Sequence, residues 1–324
     1  MAVSKIRLAF VLVGVLLVGG GYYADKPAAA PLAGDNGQMG KVYSLGRQAD
    51  ALHFTLESAR FALRAEMLHD TILAKAGQKL LILRIAVQNP RKKDALLHYT
   101  TFSFTVVAPD DKNIEWKGKL YHPGRFDEFN TTLKPAQKVR ALVVIPIHGI
   151  GPVNKLIVRK GSATPVLRYD LRGKVEPLTG PFASNDGVDA LDTATVEGNG
   201  SFPFGAWDMN FIRVVKLEKA GPYKPKPGEK LYGIVMGFSN HTRRKTLINY
   251  TLYAPGLASA NNQELKWERC LLLEDSFKPL AKTLAPGSSA TGMYLFSGPG
   301  EADPTALTLR DGNSGRELTI KLGT

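Results

Sequence analysis

The sequence predicts an all-β protein built from tandem β-sandwiches, and three observations carry that reading. Apolar residues recur at alternate positions in short runs, as strands with one buried face require. Turn residues (Gly, Pro, Asn, Asp) separate those runs at regular intervals. The chain also repeats itself: sliding the 324-residue sequence by 151 places aligns residues 75–171 with 226–322 without a gap, and 20 of these 97 positions are identical. A period that long exceeds any solenoid unit, so a whole domain is duplicated.

Taken in order, residues 1–24 read as an export signal or a membrane anchor, because Lys5 and Arg7 precede the uninterrupted apolar run Leu8–Gly21. The small-x-small pattern of a cleavage site is poor at Tyr22-Tyr23-Ala24. The 18 residues Ile6–Tyr23 lie near the lower end of the roughly 17–25 needed to cross a bilayer. Both fates stay open, with cleavage favoured, and either places the protein outside the cytoplasm, as a secreted, periplasmic or anchored chain. No cysteine lies near the segment, which excludes a thioether-linked lipid. Residues 25–40 read as a flexible segment.

The first sandwich is expected over 41–175 and the second over 201–324. Leu81, Leu83, Ile85 and Val87 alternate along one face, and 151 places later stand Tyr232, Ile234, Met236 and Phe238, so the same core face recurs. The opposite face is mixed and predicts partial cover. ESARFALRAEMLHDTILA at 57–74 has a helix-like stripe, but its counterpart FIRVVKLEKAGPYKPKP holds three prolines. We therefore expect a strand at its start and a loop after it. Asn89-Pro90 and Asn240-His241 end the long strand in a turn. LKPAQKVRALVVIPI and LAPGSSATGMYLFSG each give a Pro turn and an apolar strand, and VLRYDL and ELTIKL close the copies. Between the copies, 176–200 carries five acidic and no basic side chains and reads as an acidic linker, either a solvated spacer or a cover for the basic first copy.

The order of apolar strand, N-x-x-x-K/R turn, aromatic strand, L-x-P-G-x-x-x-x-G-x-x-x-F (Leu284 to Phe296) and a strand such as LTLR resembles a bacterial extracellular domain family of unknown function. That family groups with immunoprotective extracellular antigens, and the resemblance implies an immunoglobulin-like, telokin-like sandwich in each copy. The first copy departs from the pattern, with Ala136 and Ala141 where it has Gly. No catalytic residue belongs to the family pattern, so none is implied.

Net charge is +13, and it is unevenly placed: 23 basic against 11 acidic side chains lie in 41–175. Such a surplus attracts anionic polymers and membrane surfaces over about one Debye length. A location outside the cytoplasm excludes nucleic acid. The partners expected are an anionic envelope polymer, an anionic membrane surface or another envelope protein, with self-association through edge strands as a further route. Candidate binding residues are the two basic turns, Arg91, Lys92 and Lys93 with Arg243, Arg244 and Lys245, joined by Lys117, Lys119 and Arg125.

No catalytic residues, cofactor or metal site are expected. The six histidines lack ligand spacing, and neither a nucleophile elbow nor a phosphate-binding Gly loop is present. His98 reads as a half-buried strand residue, Trp116 and Trp267 as core or core-edge residues, and the single cysteine, Cys270, as a small buried hydrophobe. The expected function is a non-catalytic envelope protein that binds or scaffolds. The alternatives are a structural subunit of a surface layer, appendage or membrane complex and, less favoured, an enzyme with a site between its domains.

Overall fold

Three eleven-residue strands set the frame of the first half: Leu52–Ala62, Gln78–Gln88 and Lys138–His148. The middle strand pairs antiparallel with both others, from Lys138↔Gln88 to His148↔Gln78 on one side. In this computed structural model the described residues are 36–323, apart from 109, 117, 149–150 and 163–164. The export-signal reading of 1–24 and all of 25–35 lie outside them, as does Lys117. Every helix-or-strand element among the described residues is a strand.

Tyr43–Leu45 and Leu120–Tyr121 complete the first sheet. A second sheet faces it, in the order Asn36–Gly37, Leu167–Asp170, Lys155–Lys160, Phe102–Val107, Asn113–Trp116. Leu81, Leu83, Ile85 and Val87 are fully buried between them with Phe54, Phe104, Val143 and Leu156. Each such side chain contributes about 1.5–3 kcal/mol through burial. This is a β-sandwich.

The second half repeats the pairings. Glu229–Ser239 lies between Trp207–Leu217 and Ser289–Pro299, and buries Tyr232, Ile234, Met236 and Phe238 in a core of its own. Both outer strands bulge at the same place, between Leu56 and Ser58 and between Phe211 and Arg213. The halves differ at one crossing. Glu264–Leu272 runs unbroken from one layer to the other and joins them into a nine-stranded sheet. Its counterpart is split into Asn113–Trp116 and Leu120–Tyr121. There Gly118 is pressed against Trp116, whose indole would lie 2.1 Å from a Cβ at that position.

The other face of each long-stranded sheet is covered as well. Leu80 and Ile82 are buried with Ala65, Met67 and Val144, while Leu231 and Val235 are buried with Cys270, Leu272 and Met293. The cover over the first comes from residues expected to be loop: after Leu52–Ala62 the chain forms the hairpin Arg64–Glu66 with Thr71–Leu73. Its polar backbone is satisfied within that hairpin, which a plain loop on this apolar sheet would not achieve. In the second half the prolines limit the same segment to a tight Ala220–Tyr223 turn.

The acidic stretch 176–200 is built into the protein. Glu176 pairs beside the first long strand, Leu178 enters the first core and Phe182 the second. Thr193–Glu197 forms a parallel edge strand on Glu317–Lys321, as Asn36–Gly37 does on Leu167–Asp170. Its carboxylates meet buried cations. Lys79, 1% exposed, donates to the carbonyls of Gly151 and Val188 and lies 3.5 Å from Asp189. Burial pushes its ammonium down from the usual lysine range, against the pull of Asp189.

Asn89 and Asn240 do more than end a strand. Both side chains are fully buried, and their Nδ2 donates to Lys93 O and Leu133 O in one half and to Arg244 O and Leu284 O in the other. Their Oδ1 accepts from the backbone of Arg91 and Thr242. Each asparagine therefore ties three chain segments together at the foot of its basic turn. The backbone N–H of Ala136 donates to Asn89 O, as that of Gly287 does to Asn240 O. Both residues adopt positive φ, 61° and 74°. A left-handed conformation suits Gly and strains Ala. Ala136→Gly is expected to raise the unfolding free energy by about 0.5–1 kcal/mol, read from urea denaturation.

Candidate functional site: a free basic turn and its pocket

The two basic turns occupy equivalent positions and have different neighbours. In the second half, the guanidinium of Arg243 lies 3.9 Å from the ring centre of Phe126 in the first half, and Arg244 is 3.7 Å from Asp70. Arg64 adds a hydrogen bond of 3.1 Å to Asp208. This turn is a joint between halves. Among the described residues the first-half turn has no such cover: Lys92 and Lys93 are exposed, and Arg91 folds back to donate to Asn89 Oδ1 and to the carbonyls of Asp94 and Ala49.

Beside the free turn lies a cavity of about 420 Å³. Arg47, Arg91 and Lys160 supply its cations, and Thr100, Thr101 and Ser162 its hydroxyls. Asp50 is its carboxylate, 2.5 Å from Lys160 Nζ. The hydrogen bond from Lys160 holds the Asp50 carboxyl below the usual range. Three cations against one carboxylate leave the cavity positive, and the paired Lys160 is the cation held in place. Gly46 permits this, since a Cβ there would lie 2.8 Å from the Lys160 side chain.

The corresponding place in the second half is altered twice. Asp311 stands where the first half has Lys160, buried and bonded to Ser314 and the Asn313 N–H. A cavity of about 290 Å³ there is lined by Asp70, Thr71 and Leu73 of the first half together with Arg244, Thr246 and Asp311. One copy of the pocket is thus lined from both halves, whereas among the described residues the other is lined by the first half alone.

Apolar side chains mark the same open face. Leu96 is 61% exposed and Tyr99 38%, among the most exposed large hydrophobic side chains of the described residues. Their counterparts Leu247 and Tyr250 are exposed as well, at 49% and 48%. Bulky apolar groups held in water at the same position of both copies, next to cations, have the composition of an interfacial contact.

The other candidate residues do not converge on this site. Lys119 pairs with Glu128 at 2.9 Å, and Arg125 with Asp127 at 3.3 Å, on the segment that carries Phe126. Lys245 is exposed at the second turn. His98 sits in the turn after Ala95–Leu97, with its ring on Tyr99 at 4.0 Å; the strand ends one residue earlier than expected. Trp116 and Trp267 are half-buried against the two cores, and Cys270 is buried, its thiol pushed up by burial. Among the described residues no group of three or more His, Cys, Asp or Glu side chains is placed to hold a metal, and no helix is long and apolar enough to cross a membrane.

No protein-family model matches the sequence, and neither does any curated protein. Among solved structures, the chain is similar to an uncharacterised β-sandwich protein of Clostridium difficile 630, with 10% identity and a TM-score of 0.30 over 40% of this chain and 96% of that one. It is also similar to the YjhA protein of Bacillus subtilis (15%, TM-score 0.28, 39% of this chain and 98% of that one). A third is a conserved hypothetical protein of Bacillus anthracis (18%, TM-score 0.27, 38% and 93%).

Proposed function

We propose that the protein is a non-catalytic, extracytoplasmic binding module of two tandem immunoglobulin-like sandwiches, whose first copy engages an anionic membrane surface. The observation that supports this most directly is the inequality of the two basic turns. Arg243 and Arg244 meet Phe126 and Asp70 of the first half, whereas Lys92 and Lys93 have no such contact among the described residues and stand beside a cationic pocket and the exposed Leu96 and Tyr99. Lysines supply attraction to anionic headgroups, the pocket offers cations and hydroxyls to a phosphate, and Leu96 and Tyr99 reach the interface.

Co-sedimentation with vesicles tests the reading. Binding to phosphatidylglycerol-containing vesicles is expected to exceed binding to neutral vesicles at low salt and to fall as salt rises. Each cation near such a surface contributes about 1 kcal/mol, so removing two in a Lys92→Gln/Lys93→Gln variant should weaken that excess roughly 30-fold. The same change at Lys245, Lys245→Gln, should matter less. Equal binding to neutral and anionic vesicles, or an undiminished excess in the double variant, overturns the proposal.

A further inference from the structure

A second cavity, of about 500 Å³, opens where the two halves meet. Its wall is assembled from the first long strand and its hairpin, from Leu178, Pro181 and Phe182 of the acidic stretch, and from Phe204, His241 and Arg243 of the second half. Neither half contains it alone. Phe61, Phe126, Phe182 and Phe204 give it an apolar floor, and its volume falls in the range of pockets that enclose small molecules.

Its charged groups are unbalanced and incompletely paired. Arg60, Arg64, Arg243 and Arg316 line it against one carboxylate, Glu66. Arg316 is committed to backbone carbonyls. Arg64 donates to Asp208 through Nη2 and its Nε lies 3.5 Å from Glu66 Oε1, yet its Nη1 is buried with no hydrogen-bond partner, as is Glu66 Oε1. Arg60 is exposed at the rim, and the contact of Arg243 is the face of Phe126, which leaves its N–H edges available. A buried guanidinium N–H without an acceptor costs free energy until an acceptor arrives.

We infer that this inter-half cavity is a binding site for an amphipathic small molecule with an anionic head, a carboxylate or a phosphate monoester, on an apolar tail. The head meets Arg64, Arg243 and Arg60, and the tail lies along the phenylalanines. Burial pushes the Glu66 carboxyl up from its usual range, against the pull of the Thr71 hydroxyl and the neighbouring arginines. The site is separate from the free basic turn and does not depend on the membrane reading.

Isothermal titration of the whole protein with decanoate, decyl phosphate and decanol tests it. Saturable binding of an anionic probe is expected, with decanol weaker by about tenfold or more. Whichever of decanoate and decyl phosphate binds tighter identifies the head. Arg60→Ala and Arg243→Gln should each weaken that probe by about tenfold, with thermal unfolding as the check on folding, while Lys92→Gln/Lys93→Gln leaves it unchanged. A still-folded Arg60→Ala variant that binds as before, decanol that binds equally well, or no saturable binding up to about 1 mM overturns the inference.

Discussion

Replacing Asn240 by Ala is expected to destabilise the protein by about 3 kcal/mol, seen as a drop in urea midpoint with little change in the slope. The side chain is fully buried and holds the carbonyls of Arg244 and Leu284 through Nδ2 and the Thr242 N–H and hydroxyl through Oδ1. Removal deletes four hydrogen bonds and leaves backbone groups buried without partners. Each intact bond contributes about 1 kcal/mol net, and each orphan costs about 1–3 kcal/mol, with relaxation recovering part. Asn89→Ala should cost nearly as much, because the same carbonyls of its own half, Lys93 and Leu133, are held in the same way. Asp at either position is the sharper test. It keeps the size and the acceptor, but two carbonyls then face a carboxylate, so Asp should be no better than Ala. A loss below about 0.5 kcal/mol in both alanine variants would mean that the turns hold themselves.

These asparagines show what a sequence gives up readily and what it keeps. Periodicity at 81–87 and 232–238 depends only on which side chains face water, so both core faces are legible from one strand at a time. A gap-free repeat fixes the spacing of the pairings that follow it. The hairpin at 64–73 was not legible, since its apolar stripe mimics a helix and its register depends on a sheet already in place beneath it. The acidic stretch deceived for a related reason. Its composition is that of a linker, and only the buried Lys79 and Arg316, far away in sequence, give its carboxylates and carbonyls a role.

The basic turns were visible as charge, but not the difference between them. Residue type alone puts Arg243 and Lys92 in one class. The distinction comes from Phe126 and Asp70 arriving at one turn and not at the other. A signal was available in the repeat itself: Lys160 aligns with Asp311, a charge reversal within an otherwise shared strand end, and such a reversal marks a place where the copies have taken different neighbours. The exposure of Leu96 and Tyr99 was masked by their position on runs that otherwise point inward.

Arg316→Ala is expected to loosen the joint between the halves, at a cost of about 4 kcal/mol, and to split unfolding into two steps. The guanidinium, 3% exposed, reaches Leu191 O in the acidic stretch and Ala74 O and Gln78 O in the first half, so one second-half side chain ties two other segments to its own. Asp192 lies 3.9 Å from it, and its carboxylate also accepts the Gly77 N–H. Truncation leaves three carbonyls without their guanidinium donor. Measured losses for breaking such buried charged contacts run about 3–5 kcal/mol. Lysine in its place can satisfy one or two of the carbonyls with a point charge, not three with a planar fork, so Arg316→Lys should recover about half. The cost falls on the joint rather than on either core, because the two cores are separate clusters of buried side chains. Calorimetry should therefore resolve two transitions in Arg316→Ala where the parent shows one, and protease cutting within 176–192 should accelerate. A single transition lowered by the full amount, with no new cutting, would place Arg316 in the second core's stability and not in the coupling of the halves.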